Sequence, residues 1–131
     1  MSTLTKVLEK NVAEIEKDVN MTEGRFRLGH HLMPPVGWLN DPNGLCWYKG
    51  RYHVFFQYAP FDVEGGLKFW GHYTSENLVD WKYEGTALYP DSPYDCHGVY
   101  SGSAFTEHGK MHLFFTGNVK IDGDYDYINE G

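Results

Sequence analysis

Residues 38–44, Trp-Leu-Asn-Asp-Pro-Asn-Gly, hold a carboxylate, two amides and an indole within seven positions. An ionised carboxylate can serve as a nucleophile, and one held neutral can serve as a general acid. The same Asn-Asp-Pro-Asn-Gly run is also what a tight turn looks like. Asn and Asp accept local backbone hydrogen bonds, Pro fixes φ, and Asn-Gly tolerates positive φ. Apolar residues hem this run in, with Trp38 and Leu39 before it and Leu45-Cys46-Trp47-Tyr48 after it. The carboxylate of Asp41 is therefore expected at the mouth of a strand, with aromatic surface beside it.

Other chemistries find less support. The seven histidines are His30, His31, His53, His72, His97, His108 and His112. None belongs to an H-E-x-x-H helix or stands beside a cysteine pair of zinc spacing, so no metal is expected. Gly65-Gly66 lacks the spacing of a phosphate-cradling loop, and no cofactor is expected either.

The elements that must position Asp41 read as repeated hairpins. Gly50-Arg51-Tyr52-His53-Val54-Phe55-Phe56-Gln57 is echoed 59 residues on by Gly109-Lys110-Met111-His112-Leu113-Phe114-Phe115-Thr116. Each copy follows an aromatic-bearing run, and each reads as strand, short polar turn with Gly, strand. Residues 68–75 and 80–83 supply two more strand candidates between the copies. Four short strands per repeat mark a β-propeller blade, although this period exceeds the roughly 40–50 residues of familiar blades. A generic β-sandwich is the alternative. The N-terminus differs in kind. Leu4, Val7, Leu8, Val12, Ile15 and Val19 fall within about 140° at 100° per residue, which predicts one amphipathic helix over residues 3–22, ended near Gly24.

Trp38 to Gly44 is followed in order by Phe56-Gln57 with Pro60, by Trp70-Gly71-His72 and by Tyr100-Ser101-Gly102-Ser103. Together these segments resemble the invertase-type fructosidases, glycoside hydrolase family 32. The resemblance implies a mainly β chain: an amphipathic α-helix in residues 1–24, then residues 25–131 as the incomplete N-terminal portion of a five-bladed catalytic β-propeller. The chain would supply the first blade and part of the second. It also implies hydrolysis of terminal β-D-fructofuranosides, such as sucrose or sucrose 6-phosphate, with retention and with Asp41 as nucleophile. Retaining glycosidases place a second carboxyl about 5–5.5 Å from the first as acid/base. The family takes that group from a Glu-Cys motif and a stabilising Asp from an Arg-Asp-Pro motif. Neither motif occurs in these 131 residues, so the fragment is expected to be inactive alone. A carbohydrate-binding propeller fragment without catalysis is the competing class, and Asp41 discriminates, because a pure binding module has no need of an ionised carboxylate.

Carried over residue by residue, the resemblance makes Trp38, Leu39 and Asn40 the substrate-facing approach to Asp41. Asn40 would donate its amide to a fructose hydroxyl, though it also fits simple turn capping. Gln57 ends the first repeat's strand, where an amide reads hydroxyls as donor and acceptor. Its counterpart is Thr116, so the hairpin itself does not require the amide. Trp38 and Trp70 would wall the sugar pocket, with core packing the alternative for Trp70. Tyr100 and Ser101 would line it from the second blade, and Asp95 is the remaining carboxylate for its rim. One departure stands out. Some relatives carry a pocket Trp where this chain has Glu64-Gly65-Gly66-Leu67, which leaves open how the leaving group is recognised.

The resemblance implies a small-molecule fructoside as partner, and composition bounds the alternatives. The formal charge is −7 with His neutral, and without a basic cluster nucleic acid is excluded. Nothing in the chain approaches the roughly 18 apolar residues of a membrane span, and the helix is too acidic for a membrane surface. Aromatics at 17% suit both strand packing and stacking on sugar faces. Cys46 and Cys96 form no C-x-x-C, and the first residues lack the apolar core of an export signal. A cytoplasmic protein with both thiols reduced is the expectation.

Overall fold

The computed structural model describes residues 2–20, 27–28 and 30–120. Helix α1 spans Thr3–Asn20. The expected end near Gly24 and the closing residues 125–131 lie outside the described residues. Ser2 caps the helix, accepting the Thr5 N–H at 3.0 Å while its own N–H donates to Thr5 Oγ1 at 3.1 Å. This reciprocal pairing satisfies two backbone donors at the helix start.

Six antiparallel strands follow: β1 (Trp38–Tyr48), β2 (Arg51–Ala59), β3 (Phe69–Ser75), β4 (Trp81–Leu88), β5 (Val99–Glu107) and β6 (Lys110–Gly117). The first four form one sheet in the order β1-β2-β3-β4, and β5 pairs with β6 in a second. The chain is therefore mainly β, with a complete four-stranded blade and two strands of the next. The repeat holds at the level of strands, since β2 begins at Arg51 and β6 at Lys110. The stretch expected as residues 80–83 runs on to Leu88. Tyr83-Glu84-Gly85 looks like a turn, but a register shift against β3 leaves Glu84 as the extra residue and pairs Gly85, at φ +102, with His72.

Period-2 alternation on β2 and β3 divides the core into two layers. Phe56, Tyr58, Phe69 and Tyr73 face one way and pack with Val12 of α1, which is 3% exposed. Phe55 and Trp70 face the other way and pack with Val99 of β5 and with Met111 and Leu113 of β6. Blade 1 thus lies between the helix and the second sheet. The apolar run Val54-Phe55-Phe56 is buried for that reason. Its second-repeat counterparts are not: Phe114 is 59% exposed and Phe115 40%.

Polar bonds fix the helix on the blade. Tyr58 and Tyr83 both donate their hydroxyls to Glu16 Oε1, at 3.0 and 2.8 Å. Burial foremost pushes both phenols well above the usual tyrosine range, with Tyr83 and then Glu16 adding to it at Tyr58 and Glu16 adding to it at Tyr83. At the other end the Thr5 hydroxyl donates to Asp91. The seated face runs through Thr5, Leu8, Val12 and Glu16, at helical spacing. Leu4 and Val7, counted in the apolar arc, remain half exposed on its shoulder. Cys46 and Cys96 are free thiols, and no helix among the described residues is long and apolar enough to cross a membrane.

Val12 fills a closed layer while Val7 covers little. Val12→Ala is expected to lose about 2 kcal/mol of unfolding free energy and Val7→Ala less than about 0.5. Urea unfolding of both variants at low protein concentration measures the difference, and equal losses would show that α1 is not docked by this face.

Candidate active site

Strand β1 carries Asp41 in its interior, not in a tight turn at the strand's mouth. Asn40 pairs with Gln57 and Pro42 with Phe56, so Asp41 is the extra residue of a bulge. A second shift separates Asn43 from Cys46. The turn-forming residues of the motif supply these two irregularities: Asp41 adopts φ +41 and Gly44 φ +56. Asn43 braces the bulge by donating its side-chain amide to the Asp41 carbonyl at 2.9 Å. A bulge re-aims a side chain that a regular ladder would hold in alternation. Here it turns the Asp41 carboxylate towards β5.

Strand β5 answers with a bulge of its own. Tyr100 pairs with Thr116 and Gly102 with Phe115, leaving Ser101 unpaired. The Ser101 hydroxyl donates to Asp41 Oδ2 at 3.2 Å. Gly102 permits this path, since a Cβ there would sit 1.9 Å from the Phe114 carbonyl oxygen. The Ser-Gly pair of the Tyr100–Ser103 segment is thus a hydroxyl that reaches Asp41 and a residue small enough to let the strands close behind it.

Around this pair the structure distributes the other expected residues unevenly. Gln57 is 6% exposed, directly across the ladder from Asn40. The amide oxygens of Asn40 and Asn43 are buried and accept no hydrogen bond among the described residues, which leaves two acceptors beside the carboxylate. Leu39 packs on the helix-side layer, on the opposite face of β1 from Asn40. Trp38 lies under the Lys68 ammonium, 4.1 Å from its ring centroid. Trp70 is fully buried between Phe55 and Phe115 and donates its indole N–H to the Tyr100 carbonyl at 3.2 Å, so it supports Tyr100 from behind. Asp95, 5% exposed, accepts the Ser92 N–H at 2.8 Å and lines a hollow with Thr5, Tyr89 and Asp91. Its carboxylate caps a turn there. Sequence reasoning passed over Asn43 and Lys68: the first looked like a turn residue, the second like a solvated strand end.

A propeller blade thus carries a carboxylate bulging from its first strand, met by a hydroxyl from the next blade. The family model described as glycosyl hydrolases family 32 N-terminal domain matches residues 31–129, and the chain belongs to that family. It is 57% identical to a sucrose-6-phosphate hydrolase of Bacillus subtilis (strain 168) over 108 residues, covering 82% of this chain and 22% of that protein. A raffinose invertase of Escherichia coli is 46% identical over 92 residues, or 70% of this chain and 19% of the relative. The chain thus spans about a fifth of the length of these curated relatives. Among solved structures, a sucrose-6-phosphate hydrolase from Lactobacillus gasseri superposes with TM-score 0.75 at 39% identity, over 86% of this chain and 23% of that one. A β-fructofuranosidase of Bombyx mori gives 0.80 at 38%, over 91% and 25%. A mutant of the same Bombyx mori protein in complex with sucrose gives 0.79 at 37%, over 90% and 25%.

Trp70-Gly71-His72 contributes to the scaffold through a histidine pair. His53 Nδ1 and His72 Nε2 are 2.9 Å apart, and His53 Nε2 lies 3.1 Å from the Tyr48 carbonyl. The carbonyl can only accept, so His53 donates from Nε2, and its Nδ1 shares one hydrogen bond with His72 Nε2. Phe55 stacks on the other side of His72, with centroids 4.3 Å apart. His112, at the equivalent position of the second repeat, is exposed because β6 has no further strand beside it among the described residues. Burial, and then His53, pulls the His72 pKa down to about 4, with Glu84 opposing. The unfolded chain takes up this proton near pH 6.5 and the folded chain only near 4. The stabilisation is therefore complete above pH 6.5 and is lost as pH falls from there towards 4. NMR titration of the imidazole carbons is expected to find His72 neutral at pH 5. A His72 midpoint near 6.5 would refute the buried neutral ring.

Proposed function

We propose that this chain is the nucleophile-bearing part of a retaining fructosidase that acts on sucrose or sucrose 6-phosphate. The observation that carries the reading is the Asp41 carboxylate, lifted from its strand by a bulge and held at Oδ2 by Ser101 from the next sheet. That hydrogen bond fixes the carboxylate's orientation and leaves Oδ1 for attack on the anomeric carbon of a terminal fructofuranosyl unit. The Oδ1–carbon bond forms as the bond to the leaving oxygen breaks, through an oxocarbenium-like transition state. A proton from the acid/base carboxyl goes to the leaving oxygen. Water then cleaves the fructosyl ester and restores the configuration. The acceptor oxygens of Asn40 and Asn43 lie beside the carboxylate, where hydroxyl donors of the sugar would supply their missing partners, and Gln57 lies across the ladder from Asn40. Trp38 offers a ring face at one end, and Tyr100 stands beside Ser101.

The relatives' names support the substrate class, and the free thiols Cys46 and Cys96 suit a cytoplasmic setting. The buried amide acceptors would serve a non-catalytic carbohydrate-binding module equally well, so turnover must decide. The decisive protein is a completed one, in which residues 1–117 replace the matching part of the Lactobacillus gasseri sucrose-6-phosphate hydrolase. In it, Asp41→Asn is expected to lower kcat by at least about 10³-fold while sucrose binding survives. Near-normal turnover would remove Asp41 from the mechanism.

The 131-residue chain by itself is expected to release no measurable fructose from either sugar. Acid/base catalysis is worth about 10²–10⁴-fold, and the Glu-Cys motif that would bring it is not among these residues. The edge of β6 that no strand covers among the described residues, beside exposed Phe114 and Phe115, is expected to drive self-association. Light scattering and a fructose assay on the purified chain test both points together, and a monomer with enzyme-like turnover would overturn them.

A further inference from the structure

The backbone of Trp38 is set by its own strand, but its ring is held from elsewhere. Trp38 pairs with Ala59 in the ladder. Gly37 ahead of it, at φ +67, packs so closely that a Cβ there would stand 2.1 Å from the Ala59 carbonyl oxygen. The ladder does not fix the half-buried indole, because a side chain still turns about its own bonds beyond a rigid backbone. Lys68 supplies the missing constraint, with its Nζ 4.1 Å from the Trp38 ring centroid. An ammonium over an indole face is attracted by the ring quadrupole. The same ammonium donates to the Gly66 carbonyl at 2.9 Å, in a loop that Asp62 closes by accepting the Glu64 N–H at 2.8 Å.

The backbone of Lys68 reaches the other wall of the site. Its carbonyl accepts the Val99 N–H at 2.9 Å, where β5 begins, two residues ahead of Ser101. A Cβ on neighbouring Gly98 would stand 2.9 Å from the Tyr100 ring and 3.3 Å from Lys68 Cβ, so Lys68 is packed where β5 enters the site. One residue thus touches both the strand that carries Asp41 and the strand that carries Ser101. We propose that Lys68 is a positioning residue of the site: it sets the plane of the Trp38 ring relative to the Asp41–Ser101 pair and covers one ring face, so that a sugar meets only the other. The inference rests on the fructosidase reading above. It also gives a sense to the Glu64-Gly65-Gly66-Leu67 departure. Where some relatives carry a pocket Trp, this loop brings a cation that steadies the Trp already present on β1.

In the completed protein, Lys68→Met is expected to raise KM for sucrose about fivefold and to leave kcat within about twofold, because a loosened wall weakens ground state and transition state alike. Lys68→Arg is expected to restore KM, since a guanidinium also stacks on an indole face. In a Trp38→Leu background, Lys68→Met is expected to add nothing, as two residues that share one contact are not additive. Losses that multiply would place the action of Lys68 elsewhere and overturn the proposal. An unchanged KM, or a loss confined to kcat, overturns it too. The contact itself is read without sugar, by NMR of the protein carrying isotope-labelled lysine. A side-chain signal shifted upfield by the indole is expected, absent in Lys68→Met and at its ordinary position in Trp38→Leu. Without that signal the proposal falls, whatever the enzyme does. If the signal is present and the parent protein hydrolyses neither sugar, the fructosidase reading fails by itself. Calorimetric binding of sucrose to the Asp41→Asn protein then decides: weaker binding with Lys68→Met supports the positioning role, and equal binding rejects it.

Discussion

A sheet with aromatic residues on both faces must be covered twice, and that requirement organises this chain. On β2 and β3, Phe56, Tyr58, Phe69 and Tyr73 point one way, while Phe55 and Trp70 point the other. Each buried aromatic ring stabilises the fold by a few kcal/mol when its apolar surface leaves water. Neither layer can be left open, so α1 closes the first and β5–β6 closes the second. The second closure has the functional consequence. It brings the first strand of one blade alongside the first strand of the next, and the carboxylate and the hydroxyl of the candidate site come from those two strands.

Packing alone would not bring Asp41 and Ser101 into contact. In a regular ladder each side chain is committed to one face by pairing, and Asp41 would alternate with Asn40 and Pro42. The extra residue in each strand breaks that commitment. Asp41 sits between the Asn40–Gln57 and Pro42–Phe56 pairs, and Ser101 between Tyr100–Thr116 and Gly102–Phe115. The two bulges fall within one residue of each other in the repeat, so the unpaired side chains face across the junction. The positive φ at Asp41 costs on the order of 1 kcal/mol or more. Asn43 and the buried surroundings hold it there, a rigid support for a group that must meet a substrate in one orientation.

The elements were legible because their signals are local. Hairpins announced themselves through alternation and through Gly50 and Gly109, and the helix through its period. Fine placement was not, because it depends on partners distant in sequence. The apolar arc of α1 included Leu4 and Val7, yet the groove of the blade admits the stripe one step round, where Thr5 and Glu16 find Asp91, Tyr58 and Tyr83. The reach of β4 to Leu88 was hidden by Gly85, which looks like a turn residue until β3 pairs it with His72 and leaves Glu84 as the extra one. At the site, Asp41, Gln57, Tyr100 and Ser101 were visible as motif members. The bulges that make them a site were not, since Asn-Asp-Pro-Asn-Gly carries the same turn chemistry whether it closes a loop or distorts a strand. Lys68 was invisible because its meaning comes from Trp38, thirty residues earlier.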